Sequence, residues 1–285
     1  MKNSREYLAK IYEHVIEDLK NGYYVNDFGE EIEFKDRKLK TGSRMYQESE
    51  ISDVSDSPRF ESTKIYVQNI DSFLKAVDMG KGVAVLNMAS QRNPGGGVAN
   101  GSRAQEEELC RRSNLLMSLY SFSEKSAILG HTSKSGRYPI PTYGGIYSPD
   151  VEIYRGKGYK PYHESFKVDV ISVAAMIRPE YDPVTLMISK KQVHIMKRKI
   201  KTILRIALMN KRTKLVLGAF GCGVFCNPPK HVALMFKEVL ESPEFKNAFE
   251  EICFAILDDG NTGKEHNPEG NYKPFVDVFG DERSK

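Results

Sequence analysis

Three consecutive glycines, Gly95, Gly96 and Gly97, stand seven residues ahead of Gln105, Glu106 and Glu107, directly after the apolar run Val83 to Ala89. Glycines let backbone amides approach an anion closely, and a helix starting beyond them leaves its first amides unpaired. Carboxylates in that first turn can grip sugar hydroxyls and move protons. The implied chemistry is the holding of a phosphorylated sugar beside an acid–base group. Taken alone, the glycines read as a flexible surface loop, and Glu106, Glu107 and Glu108 as acids favoured by the helix dipole. Their coupling to a buried strand makes the pattern specific.

Ser102 and Gln105 have the spacing of a capping box, which starts the helix at Arg103 and turns its amides back toward the glycines. A second cluster repeats the arrangement. The strand-like run Lys214 to Gly218 leads into Gly221, Cys222 and Gly223, and Pro228 and Pro229 open the next helix. Two such loops at strand ends can face each other across a cleft and hold a pyrophosphate between them. Phe225, just beyond, packs on a ribose or base, or simply in the core. Leu109, Leu116 and Tyr120 mark the buried helix face and bring Glu106 nearer to it than Glu107, so periodicity does not select Glu107.

The elements that must position these groups follow from hydrophobic period. Leu8, Ile11, Tyr12 and Val15 recur at helical spacing, Gly22 stops that helix, and a hairpin fits Tyr23 to Phe34 with its turn at Asp27 to Gly29. Residues 35–58 are polar and read as a loop. Strand-like runs then alternate with helical ones: strands over 64–68, 83–89, 145–154, 169–176, 214–218 and 252–257, and helices over 72–77, 104–120, 190–209 and 229–240. This alternation argues for an α/β three-layer sandwich on a mixed sheet. A division into an accessory extension over 1–60 and a catalytic domain over 61–285 is expected.

Forty-two basic against 38 acidic residues give a net charge of +4. A surface that mixed implies no dedicated duplex nucleic-acid binding, and the basic residues of the 190–209 helix read as a solvated face. The first twenty residues lack a signal-type apolar core and read as an amphipathic helix of a cytoplasmic protein. No run is long enough to cross a bilayer. Cys222 and Cys226 have metal-like spacing but no second ligand pair nearby, so both read as small buried residues and no metal is expected.

The run GlyGlyGly, seven residues, GlnGluGlu resembles the signature of poly(ADP-ribose) glycohydrolases. The runs 101–107, 147–151 (TyrSerProAspVal) and 218–225 (GlyAlaPheGlyCysGlyValPhe) are similar to its bacterial-type branch. The resemblance implies a macrodomain-like fold and hydrolysis of ribose–ribose bonds in poly(ADP-ribose) or on ADP-ribosylated macromolecules, releasing ADP-ribose without a cofactor. It implies Glu107 as acid/base, with Glu106 holding the distal ribose hydroxyls. Gly95, Gly96, Gly97 and Val98, with Gln105 beside them, would face Gly221, Cys222, Gly223, Val224 and Phe225 around the ligand. Asp71 would recognise adenine, and Asn93 is the asparagine available to contact a ribose.

A carboxylate at a helix start is favoured as the anion, whereas a general acid must carry a proton. A bound diphosphate pushes toward the protonated form. Two alternatives share these loops: a mono-ADP-ribosyl hydrolase, and a module that binds ADP-ribose without cutting it. The acidic pair favours an enzyme, because a reader needs no proton donor at the ribose.

Overall fold

The computed structural model describes residues 4–35, 42–133 and 137–281. Helix α1 (Arg5–Asn21) starts where the Ser4 hydroxyl accepts from the Tyr7 amide and ends at Gly22, whose φ of 79° permits the left-handed cap. Its stripe Leu8, Ile11, Val15, Ile16 and Leu19 is buried. The expected hairpin follows as β1 (Tyr23–Val25) and β2 (Glu31–Glu33), paired antiparallel.

The region expected to be a loop over 35–58 holds strand β3 (Arg44–Tyr46), which pairs with β6 (Gly145–Arg155) at one edge of the main sheet. Residues 36–41 of that expectation lie outside the described residues. Three residues are too short to show a period-2 signal, which is why the strand was not legible. Residues 44–46 are therefore part of the main sheet, while β1 and β2 form a separate two-stranded sheet.

The remaining strands are β4 (Lys64–Gln68), β5 (Val83–Met88), β7 (Pro161–Val173), β8 (Lys214–Leu217) and β9 (Glu251–Ala255). The seven-stranded sheet runs β3-β6-β7-β5-β8-β9-β4. Its first two pairings are antiparallel, and the four joining β7, β5, β8, β9 and β4 are parallel. Alternation along the central strands fills both faces. Ala84, Leu86, Leu215 and Leu217 enter one apolar cluster, while Val83, Val85 and Val216 enter the other. The first cluster is covered by α5 (Lys190–Met209), α6 (Pro229–Leu240) and α7 (Tyr272–Phe279). The second is covered by α1, α2 (Ser72–Met79), α3 (Gln105–Arg112) and α4 (Leu115–Ser121). Helices on both faces of a mixed sheet make the expected three layers.

One further expectation changes. The single helix over 104–120 is two, because Ser113 bridges to Ile153 while Asn114 exchanges hydrogen bonds with the Glu152 backbone. Ser and Asn compete for backbone groups in this way and break helices. The basic side of α5 stays partly exposed, as expected of a solvated face, and carries ion pairs: Lys197 with Glu238, Arg198 with Glu48, and both Lys201 and Arg205 with Glu244.

Candidate active site

Strands β4, β5, β8 and β9 are parallel, so their C-terminal ends share one side of the sheet, where ligands bind in open α/β folds. A cleft of about 920 Å³ opens there. Its walls are Ile70 to Ser72 after β4, Met88 and the segment Gly101 to Gln105 after β5, Gly221 and Gly223 to Phe225 after β8, and Ala255 to Leu257 at the end of β9. Glu107 lines it together with the second glycine loop, whereas Gly95, Gly96 and Gly97 of the first lie outside the lining, behind Glu107.

The two loops differ in how their amides point. In the first, Gly96 N–H donates to Asn93 O at 2.8 Å, Gly97 N–H to Glu107 Oε1 at 2.8 Å, and Val98 N–H to Gly95 O at 3.1 Å. Those amides therefore do not face an anion in the cleft, contrary to expectation. The loop instead cradles carboxyl groups. Gly95 and Gly96 take φ of 74° and 58°, and a methyl on Gly96 would collide with Glu107 Oε1 and stand 3.1 Å from Glu106 Oε2. Val98 is buried in the core, and Asn93 is exposed and lies outside the cleft lining.

In the second loop every carbonyl from Gly221 to Phe225 has a donor. Gly221 O accepts from Asn227 N at 3.1 Å and Nδ2 at 2.9 Å, Cys222 O from His266, Gly223 O from Cys226 N, and Phe225 O from Arg178 N. Val224 O takes the Cys226 thiol. The amides of Gly223, Val224 and Phe225 donate to nothing among the described residues. With carbonyls tied inward and amides free, this loop is the anion-receptive one. Cys222 is fully buried and lies outside the cleft lining, contrary to expectation, while Phe225 both lines the cleft and packs against the core.

Helix α3 begins at Gln105, not Arg103, and Ala104 caps it without a side-chain bond. The capping box is absent because the Gln105 amide serves β5 instead, accepting from Met88 N at 2.9 Å and donating to Leu86 O at 2.6 Å. That grip fixes the helix start against the strand end. Ala104 and Gln105 line the cleft, and the first amides of the helix have no acceptor within it.

Glu106 and Glu107 are both buried, at 3% and 7% exposure, where an unpartnered carboxylate is costly. Glu106 Oε2 accepts from Ser90 N at 2.7 Å, and Oε1 stands 3.4 Å from Asn87 Nδ2. Burial pushes its pKa up to about 8, with the neighbouring Glu107 adding to the rise and the Ser90 amide opposing it. Glu106 lies behind the cleft lining, as its place on the apolar helix face foretold. Glu107 Oε1 is committed to Gly97, and Oε2 is buried without a partner among the described residues.

Asp71 borders the cleft, but its carboxylate caps α2. Oδ1 accepts from Phe73 N and Leu74 N at 3.0 Å each, and Oδ2 pairs with Arg112 Nη1 at 2.8 Å. The adenine contact expected of Asp71 would have to share those oxygens. Residues 147–151 also lie outside the cleft lining and form a bulge in β6, where Asp150 takes φ of 52°.

Sequence reasoning missed the cations. Buried Arg111 bonds Glu108 at 3.0 Å and the Ser102 carbonyl, and Tyr159 donates to the same Glu108 carboxylate. Arg5, Arg103 and Lys264 line the cleft with no carboxylate partner among the described residues. With Glu108 and Asp71 neutralised by arginines, the cleft suits a diphosphate. The adjacent Arg111 and Arg112 were the available sequence signal, since two arginines at the end of a short helix beside three glutamates invite pairing.

A cleft at parallel strand ends, lined by buried Glu107 and backed by Glu106, fits an enzyme of α/β architecture that acts on a phosphorylated sugar. The family model for the microbial-type PARG catalytic domain matches residues 13–156, and the chain belongs to that family. It is a poly(ADP-ribose) glycohydrolase, a glycosidase. The chain is similar to the crystal structure of poly(ADP-ribose) glycohydrolase from Thermomonospora curvata bound to the inhibitor ADP-HPD. The two are 26% identical over 95% of this chain and 99% of that one, with a TM-score of 0.75. It is also similar to the poly(ADP-ribose) glycohydrolase from Deinococcus radiodurans in complex with ADP-ribose, 29% identical over 86% of this chain and 98% of that one, with a TM-score of 0.64. No curated protein matches. Among the described residues, no helix is long and apolar enough to cross a membrane.

Proposed function

We propose that the cleft binds a terminal ADP-ribose unit of the polymer and that Glu107 cleaves the ribose–ribose bond as acid and then base. The diphosphate rests on the free amides of Gly223, Val224 and Phe225 and on the start of α3, with Arg5, Arg103 and Lys264 supplying positive charge. Glu107 Oε2 gives its proton to the departing ribose oxygen as the bond to the anomeric carbon breaks. The same oxygen then takes a proton from the water that attacks that carbon. The substrate's diphosphate offsets the positive charge that develops on the sugar ring. Burial keeps Glu106 neutral near pH 7, so no second full charge is forced beside Glu107.

The observation that carries this reading is the placement of Glu107 in one cleft with an anion-receptive loop. Incubating the protein with end-labelled polymer tests it. Release of free ADP-ribose supports a hydrolase, and tight binding without turnover would point to a reader.

A further inference from the structure

His266 sits on the segment between β9 and α7, is 4% exposed, and places Nε2 at 3.0 Å from the Cys222 carbonyl oxygen. A carbonyl can only accept, so Nε2 carries the hydrogen and donates. Cys222 belongs to the loop whose free amides line the cleft, yet His266 itself does not touch the cleft. The Cys222 carbonyl and the Gly223 amide share one trans peptide plane and point in opposite directions. Tying the carbonyl to His266 therefore turns the Gly223 N–H toward the cleft side.

We propose that His266 is a positioning residue for diphosphate binding: it locks the Cys222–Gly223 peptide in the orientation that presents the Gly223 amide to a phosphate oxygen. The other carbonyls of this loop are held from within it or from Arg178, so this peptide alone depends on a donor from the β9–α7 segment. That segment also carries Asp259, Asn261 and Lys264 into the cleft wall. One imidazole thus joins the two walls that would close on the diphosphate. Gly223 has open space where a side chain would begin, so no side-chain packing there constrains the peptide.

The inference rests on the reading that this loop holds the diphosphate. The test is calorimetric titration of His266→Ala and His266→Gln with ADP-ribose and, by competition, with adenosine, which has no phosphate. We expect His266→Ala to bind ADP-ribose at least tenfold more weakly while adenosine binding stays unchanged. His266→Gln, whose Nε2 donates at similar reach, should restore ADP-ribose binding to within about threefold. Native-like ADP-ribose affinity in a folded His266→Ala protein would overturn the proposal. So would parallel loss of adenosine and ADP-ribose binding in His266→Gln, since that marks a general structural role. If the native protein itself fails to bind ADP-ribose, the reading of the loop falls rather than the role of His266.

Discussion

Replacing Gly96 by alanine perturbs the acid–base pair without touching either glutamate. The residue holds φ of 58°, a conformation that costs an alanine roughly 1–2 kcal/mol. Its new methyl would overlap Glu107 Oε1 and press on Glu106 Oε2 from 3.1 Å. Backbone fixed between Asn93 O and the Gly97–Glu107 bond gives little room, so the Glu107 carboxyl must yield by roughly 1 Å, a misplacement that can cost about 100-fold in rate. The expected outcome is kcat down about 100-fold, measured by chromatography of ADP-ribose released from polymer, with ADP-ribose affinity changed far less. Gly223→Ala is the control for stability. A side chain there meets nothing within 4 Å, so urea unfolding should shift by less than about 0.5 kcal/mol. A Gly96→Ala protein with native kcat would refute the claim that this glycine exists to seat the carboxyls.

The pair also predicts a pH signature. Glu106 is raised by burial from 4.5 to about 8, so it binds more protons when folded than when unfolded between those values. Its contribution to stability is full below pH 4.5 and is lost as pH rises through about 8. The native protein should therefore lose stability relative to Glu106→Gln across that window, by at most about 5 kcal/mol, and parallel urea curves for the two would contradict the assignment. Asp71→Ala removes the α2 cap and strands the buried Arg112 guanidinium. It should destabilise by about 3 kcal/mol, whereas Asp71→Ser, which keeps a capping oxygen, should recover about 1 kcal/mol of that in the same unfolding assay.

Much of the frame was legible because burial imposes a period. The strand at 64–68 and the helices at 190–209 and 229–240 fall at the expected bounds, since their apolar stripes are long and their ends are marked by turns or prolines. Strand β3 was not, being three residues long, and the first half of β7 was missed because Tyr162 to Lys167 stay partly or fully exposed. The break at Ser113 and Asn114 depends on β6, forty residues away in sequence. Helix α7 follows a polar segment that gave no lead to it.

The site divides in the same way. Glycine spacing revealed both loops and the carboxyl pair, and helical period correctly made Glu106 the deeper of the two. Composition could not reveal which way an amide points. That direction is set by tertiary acceptors and donors such as Glu107 Oε1, Asn227 and His266, and it reverses the expected duties of Gly96 and Gly97.

Glu107→Gln tests the central claim most directly, because glutamine keeps the side-chain shape and an oxygen for the Gly97 amide while removing the transferable proton. Release of ADP-ribose from polymer should fall by roughly 10²–10⁴-fold with ADP-ribose affinity nearly unchanged. Turnover within a few fold of the native rate would mean that another group does the chemistry.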